Sequence, residues 1–116
     1  MADAAILIRW DRPKTGREQQ ALALFGSSLE YYGTLQSEGT IESFEPVMLS
    51  PGSGDLNGFI LIRGSAEKLA ALKRADGFVE RMIQGQYLIA GFGVVDGYIG
   101  GNLQSRMAKY AQVVNQ

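Results

Sequence analysis

"AILIRW" at Ala5 to Trp10 and "FILIRG" at Phe59 to Gly64 share four letters in order, Ile6 to Arg9 and again Ile60 to Arg63. Each is a short apolar run rich in β-branched residues, the pattern of a buried strand. Outward from the first copy, "DRPKTG" at Asp11 to Gly16 breaks the run, and Thr15 with Glu18 has the spacing of a capping box, in which hydroxyl and carboxylate satisfy first-turn amides. A helix is expected from there to about Gln36, because Leu22, Phe25, Leu29 and Tyr32 recur at helical spacing. Gly26 and Gly33 weaken it and permit close packing on a sheet.

Gly39 ends that helix, and "TIESFEPVML" reads as a second strand, with Pro46 best tolerated at a sheet edge. "SPGSGDLNG", Ser50 to Gly58, is rich in turn formers, so the second Ile-Leu-Ile-Arg strand returns antiparallel as a long hairpin. Ser65 caps a helix carrying Leu69 and Leu72. The helix breaks at "ADGF", and Phe78, Val79, Met82 and Ile83 predict further helical turns ending near Gly85. "GVVDGYIG" supplies a fourth strand. Leu103, Met107, Tyr110 and Val114 then follow an i, i+4, i+7, i+11 pattern on a C-terminal amphipathic helix over 102–114. The order strand, helix, strand, strand, helix, strand is the split βαβ arrangement of a ferredoxin-like domain. The expected fold class is therefore α+β, one domain over 1–116 with a four-stranded antiparallel sheet and a helical tail. The repeated tetrad marks the first strand of each half. Those strands are adjacent and antiparallel in this topology, so Arg9 and Arg63 lie toward opposite ends of the sheet.

Composition narrows the chemistry. Hydrophobic residues make up 46% of the 116 and charged ones 20%, which suits a folded domain with a real core. A formal net charge of -1 leaves no basic footprint for nucleic acid or an anionic membrane. There is no cysteine and no histidine. Thiol nucleophiles, thiolate metal sites, the commonest general base and the usual heme ligand are thereby removed, and no metal or cofactor is expected. The apolar run at Ala4 to Ile8 is too short for a membrane span or a secretory core, so a cytoplasmic protein is the default expectation.

Both crossover helices belong on one face of the sheet. Ile6, Ile8, Trp10, Ile60, Ile62, Val95 and Ile99 are assigned to that face. Leu7, Phe59, Leu61, Val94 and Tyr98 are assigned to the other with Arg9, Arg63 and Asp96. That open face is too apolar for solvent, and pairing with a second copy is the economical explanation. In its order of elements and open face the chain resembles the dimeric α/β-barrel superfamily. That superfamily includes cofactor-free monooxygenases of antibiotic biosynthesis, muconolactone isomerases, heme-degrading enzymes, chlorite dismutases and the YCII-related proteins. "ADGFV", Ala75 to Val79, is similar to the Ala-Asp-Pro-Phe stretch of the YCII-related group. That resemblance implies an active-site aspartate at Asp76, although Gly77 replaces the proline and the partner histidine is absent.

The remaining motifs are weighed against plainer readings. "GSGDLNG" and "GFGVVDG" lack the strand-to-helix context of a dinucleotide site and the lysine of a phosphate loop, so they read as turns. "NGFILIRG" lacks the further aromatics and the basic lead of an RNA-binding sheet motif. Arg9, Arg63, Asp96 and Tyr98 form the constellation of interest. The arginines suit a carboxylate ligand, and Tyr98 or Asp96 suits proton transfer. The plainer reading is an ion pair buried across a dimer interface. Trp10, at the end of its strand, lines a cavity or packs in the core. Asp76 reads otherwise as a helix N-cap. The expected protein is a small homodimer of unassigned function that binds a small organic molecule, an anion being one option. The alternatives are a cofactor-independent oxygenase or isomerase, and a non-catalytic structural or regulatory dimer.

Overall fold

The computed structural model describes residues 2–52 and 54–116. Strands β1 (Ala4–Trp10) and β4 (Gly58–Gly64) carry the two Ile-Leu-Ile-Arg copies and pair antiparallel, Ile6 opposite Ile62 and Ile8 opposite Ile60. Two short strands intervene in the numbering, β2 (Arg12–Pro13) and β3 (Ser43–Met48). With β6 (Gly93–Tyr98) they give a four-stranded antiparallel sheet in the order β3-β4-β1-β6, while β2 pairs separately with β5 (Ile89–Ala90). This is the ferredoxin-like α+β fold. Pro46 lies on the edge strand β3, where its missing N–H costs no ladder bond inside the sheet.

Side chains alternate across a strand, so the register puts Ile6, Ile8, Ile60 and Ile62 on one face, and all four are buried. Helices α1 (Glu18–Ser37), α2 (Ala66–Leu72) and α3 (Asp76–Leu88) supply Tyr32, Leu69, Leu72 and Phe78 to the same core. Ser65 caps α2 as expected, its Oγ accepting from the Lys68 amide at 3.2 Å. α4 (Gly100–Val114) follows β6 and buries none of its residues. Among the described residues no helix is long and apolar enough to cross a membrane.

Several expectations need correction. Thr15 forms no capping box: α1 begins at Glu18 with Arg17 at the N-cap and no side-chain cap bond. The chain just before Thr15 is drawn instead into the β2–β5 ladder, and the Lys14 amide donates to the Leu88 carbonyl. Leu22, expected on the core stripe of α1, is 71% exposed. Helix α3 does not stop near Gly85 but runs on to Leu88, and Gly85 within it is where the Phe92 ring lies against the helix. The two faces of β6 are the reverse of the expectation. Asp96 stands opposite Ile6 and Val94 opposite Ile8, so Val94, Asp96 and Tyr98 share the helix-covered side while Val95 lies beside Leu7 on the open one. A one-residue shift of this kind exchanges every side chain of a strand.

Candidate functional site

Between the sheet and helices α1 and α3 lies a cavity of about 330 Å³ whose wall is almost entirely apolar. The sheet contributes Ile8, Trp10, Met48 and Ile60. From α1 come Ala21, Leu22, Leu24, Phe25, Ser28 and Tyr32, which follow one side of the helix because they recur every three or four residues. Arg81 and Met82 of α3, with Ile89 and Phe92, complete it. Leu22 and Met48 are both largely exposed and mark its outer end, beside Pro13 and Glu18.

Two aromatic walls are seated against glycines. Trp10 is paired with Gly58 across the ladder, and a Cβ there would stand 2.6 Å from the indole ring. Only glycine lets the ring lie down on β4. Held so, Trp10 meets Phe25 edge-to-face with centroids 5.8 Å apart, a favoured aromatic geometry. Phe92 uses the notch left by Gly85 in α3 in the same way.

The polar groups collect at one place on the wall. Arg81 Nη1 donates to Ser27 Oγ at 3.0 Å and Ser28 Oγ at 3.1 Å, and the guanidinium lies 4.6 Å from the Tyr31 ring centroid. It thus ties α3 to α1. Among the described residues no carboxylate forms an ion pair with it. Burial pushes the Tyr32 hydroxyl far above the ordinary tyrosine range, and the nearby Arg81 charge only partly opposes this. The Tyr31 hydroxyl is raised for the same reason. Both phenols keep their protons at neutral pH, and for Tyr32, which lines the cavity, this suits hydrogen bonding to a ligand and not proton abstraction. Among the described residues no group of three His, Cys, Asp or Glu side chains converges as a metal ion would need.

The six residues singled out from sequence are dispersed. Trp10 lines the cavity. Arg9 and Arg63 are on the open face, four positions apart along β1, which is about 14 Å. Each has a carboxylate in its own subunit: Arg9 Nη2 donates to the Asp55 carbonyl and lies 3.9 Å from its carboxylate, and Arg63 Nη2 reaches Glu45 Oε1 at 3.4 Å. Arg9 Nε is buried with no hydrogen-bond partner. Asp96 and Tyr98 sit on the helix side of β6, where Asp96 takes a 2.6 Å ion pair from Lys73 and Tyr98 is covered by the Arg106 guanidinium. The four-residue constellation is therefore split between two faces of the sheet. Asp76 is the first residue of α3, not its cap; Ala75 holds that position, and Asp76 does not line the cavity. Phe25, Ser28, Tyr32, Arg81 and Phe92 went unnoticed as site residues. A signal was available in Arg81, which with Glu80 interrupts the apolar helical run from Phe78 to Ile83.

No family model and no curated protein matches the chain. Among solved structures it is similar to a dimeric protein of unknown function and ferredoxin-like fold from Bacteroides fragilis NCTC 9343. The two share 10% identity over 83% of this chain and 95% of the other, with a TM-score of 0.61. At that identity the likeness establishes the fold.

Proposed function

We propose that the chain is a homodimer in which each subunit holds a small, mainly apolar organic molecule between its sheet and helices α1 and α3. The observation that carries this reading is the cavity itself. At about 330 Å³ it is at the small end of the range for small-molecule sites, and it combines an apolar wall with a few polar groups gathered at Arg81 and Ser28. Pairing of subunits is supported by the uncovered sheet face, where Val47, Phe59, Leu61, Leu7 and Val95 line up across four strands. The dimeric state of the Bacteroides fragilis protein agrees with it.

Trp10 is the sole tryptophan, so its emission reports on the cavity. Titration with 1-octanol is expected to change that emission saturably and to raise the unfolding temperature, by the amount that a ligand binding only the folded state confers. A linear, unsaturable response together with an unmoved unfolding temperature would sink the reading. Sodium octanoate tests a second possibility, an anionic ligand. Arg81 without a carboxylate favours it, and Glu18 at the mouth opposes it. If Arg81 receives the charge, octanoate binds more tightly than octanol and Arg81→Met removes the difference. Light scattering should return twice the 12.6 kDa chain mass. Leu61→Glu should lower it, because the variant places an unpaired charge in the contact.

A further inference from the structure

We infer that the molecule held in the cavity is a monocarboxylate, bound carboxylate-first on Arg81, Ser28 and Tyr32 at the end of the cavity remote from Leu22 and Met48. The inference rests on the cavity reading above and adds to it the class of the ligand and its direction. Tyr32 carries the first step. It is 1% exposed and lines the cavity, and among the described residues its hydroxyl has no hydrogen-bond partner. A hydroxyl buried in that state costs free energy that an acceptor supplied from the cavity recovers. Ser28 stands one turn earlier on the same side of α1 and is 8% exposed. Its oxygen accepts from Arg81, which leaves its own hydrogen to donate.

Arg81 uses only part of its donor set. Nη1 serves Ser27 and Ser28, and the guanidinium is stacked on the Tyr31 ring. The edge formed by Nε and Nη2 has no acceptor among the described residues. That edge is a planar fork which a carboxylate meets with two parallel hydrogen bonds. Arg81 is also near enough to Tyr32 for its charge to oppose the upward push of burial on that hydroxyl. Three donors lacking an acceptor, one of them charged, thus stand together on an otherwise apolar wall. Arg81 is the only cation that lines the cavity among the described residues, so the rest of the ligand is apolar and carries no second acid.

The direction follows from burial along α1. Leu22 and Met48 are 71% and 72% exposed at the outer end, and Ser28 lies about 9 Å further along the helix than Leu22. A carboxylate on Arg81 therefore trails its hydrocarbon part past Trp10 and Phe25 toward the opening. Glu18, the acid that lines the cavity, is about 15 Å from Ser28 along α1. That exceeds the screening length of about 8 Å at physiological ionic strength, and Lys14 and Arg17 flank Glu18 in the chain. Glu18 thus leaves the attraction of Arg81 in place.

The test compares sodium octanoate with octanamide, a neutral molecule of the same shape, by titration of Trp10 emission. Octanoate should bind about tenfold more tightly or better, as expected of a hydrogen bond made by a charged group. Tyr32→Phe keeps the ring, and Arg81→Lys keeps the charge but not the fork; each should lower the octanoate affinity about fivefold or more. A second measurement needs no variant. The carboxyl carbon of bound [1-13C]octanoate should remain ionised, by its chemical shift, to a pH about one unit or more below that at which the free acid takes up its proton. A bound carboxyl that titrates as the free acid does is in water at the opening, and overturns the inference. Octanoate no tighter than octanamide overturns it as well, while leaving the cavity reading standing. Failure of octanoate, octanamide and 1-octanol alike removes the cavity reading and the inference with it.

Discussion

Gly58 decides how the cavity is walled. Its missing side chain lets Trp10 lie on β4, and Gly58→Ala would drive a methyl into the ring. We expect a loss of about 1–3 kcal/mol, the usual cost of overpacking, with a shifted Trp10 emission, both read from urea unfolding. Tyr32 makes a prediction about pH. Burial raises its pKa above the unfolded value of about 10, so above pH 10 the unfolded chain loses a proton that the folded one retains. Stability is then undiminished below pH 10 and falls as pH rises beyond it, by up to about 1.4 kcal/mol per unit for one group. Tyr32→Phe should flatten that decline in unfolding measured at pH 9 and pH 11. The arginine pairs are informative for a different reason. In the isolated subunit Arg63 and Glu45 are 37% and 59% exposed in their side chains, and such pairs contribute only about 0–1 kcal/mol. In a sheet-face dimer the same pair is buried, and removing one partner then costs about 3 kcal/mol or more. Arg63→Met should accordingly change stability little at dilution and substantially where the protein is dimeric.

Helix α2 and strand β6 show two ways an element is held. α2 has seven residues, too few to stand by propensity. It depends on the Ser65 cap and on burial of Leu69 and Leu72. Ser65→Ala should cost about 1 kcal/mol, seen as a lower thermal midpoint with an unchanged fold by circular dichroism. β6 is held through its ladder to β1 and through the Lys73–Asp96 pair, which fastens an edge strand to the end of α2. The pair is partly exposed, so its contribution is to orientation more than to stability. Its geometry explains why Asp96 belongs to the helix side although an aspartate beside apolar neighbours invites the opposite assignment.

Taken as a whole, the molecule has a covered face, an uncovered face and a projecting arm. The covered face provides the core and leaves the cavity, because α1 and α3 meet each other over the sheet without filling the space above Trp10 and Ile60. The uncovered face and α4 hold apolar area that the subunit itself does not use. Truncation after Ile99 removes no buried side chain. We therefore expect the shortened chain to unfold cooperatively in urea. Loss of cooperative unfolding would mean that α4 supports its own subunit.

The sequence by itself determined the order of elements, the edge position of the Pro46 strand, the Ser65 cap and the meaning of the Ile-Leu-Ile-Arg repeat. These depend on periodicity and on backbone chemistry within a few residues, which the chain carries locally. It could not determine the face of β6. Val94 and Val95 offer an apolar residue at either parity, and the choice is made by pairing with β1 some ninety residues earlier. Nor could it show the β2–β5 ladder, whose strands are two residues each. The carboxylate partners of Arg9 and Arg63 lay equally beyond it, since they are set by long-range register. The cavity was the least legible of all. Trp10, Phe25, Tyr32 and Phe92 read individually as core residues, and only the tertiary packing of helices on sheet decides that the space between them is left open.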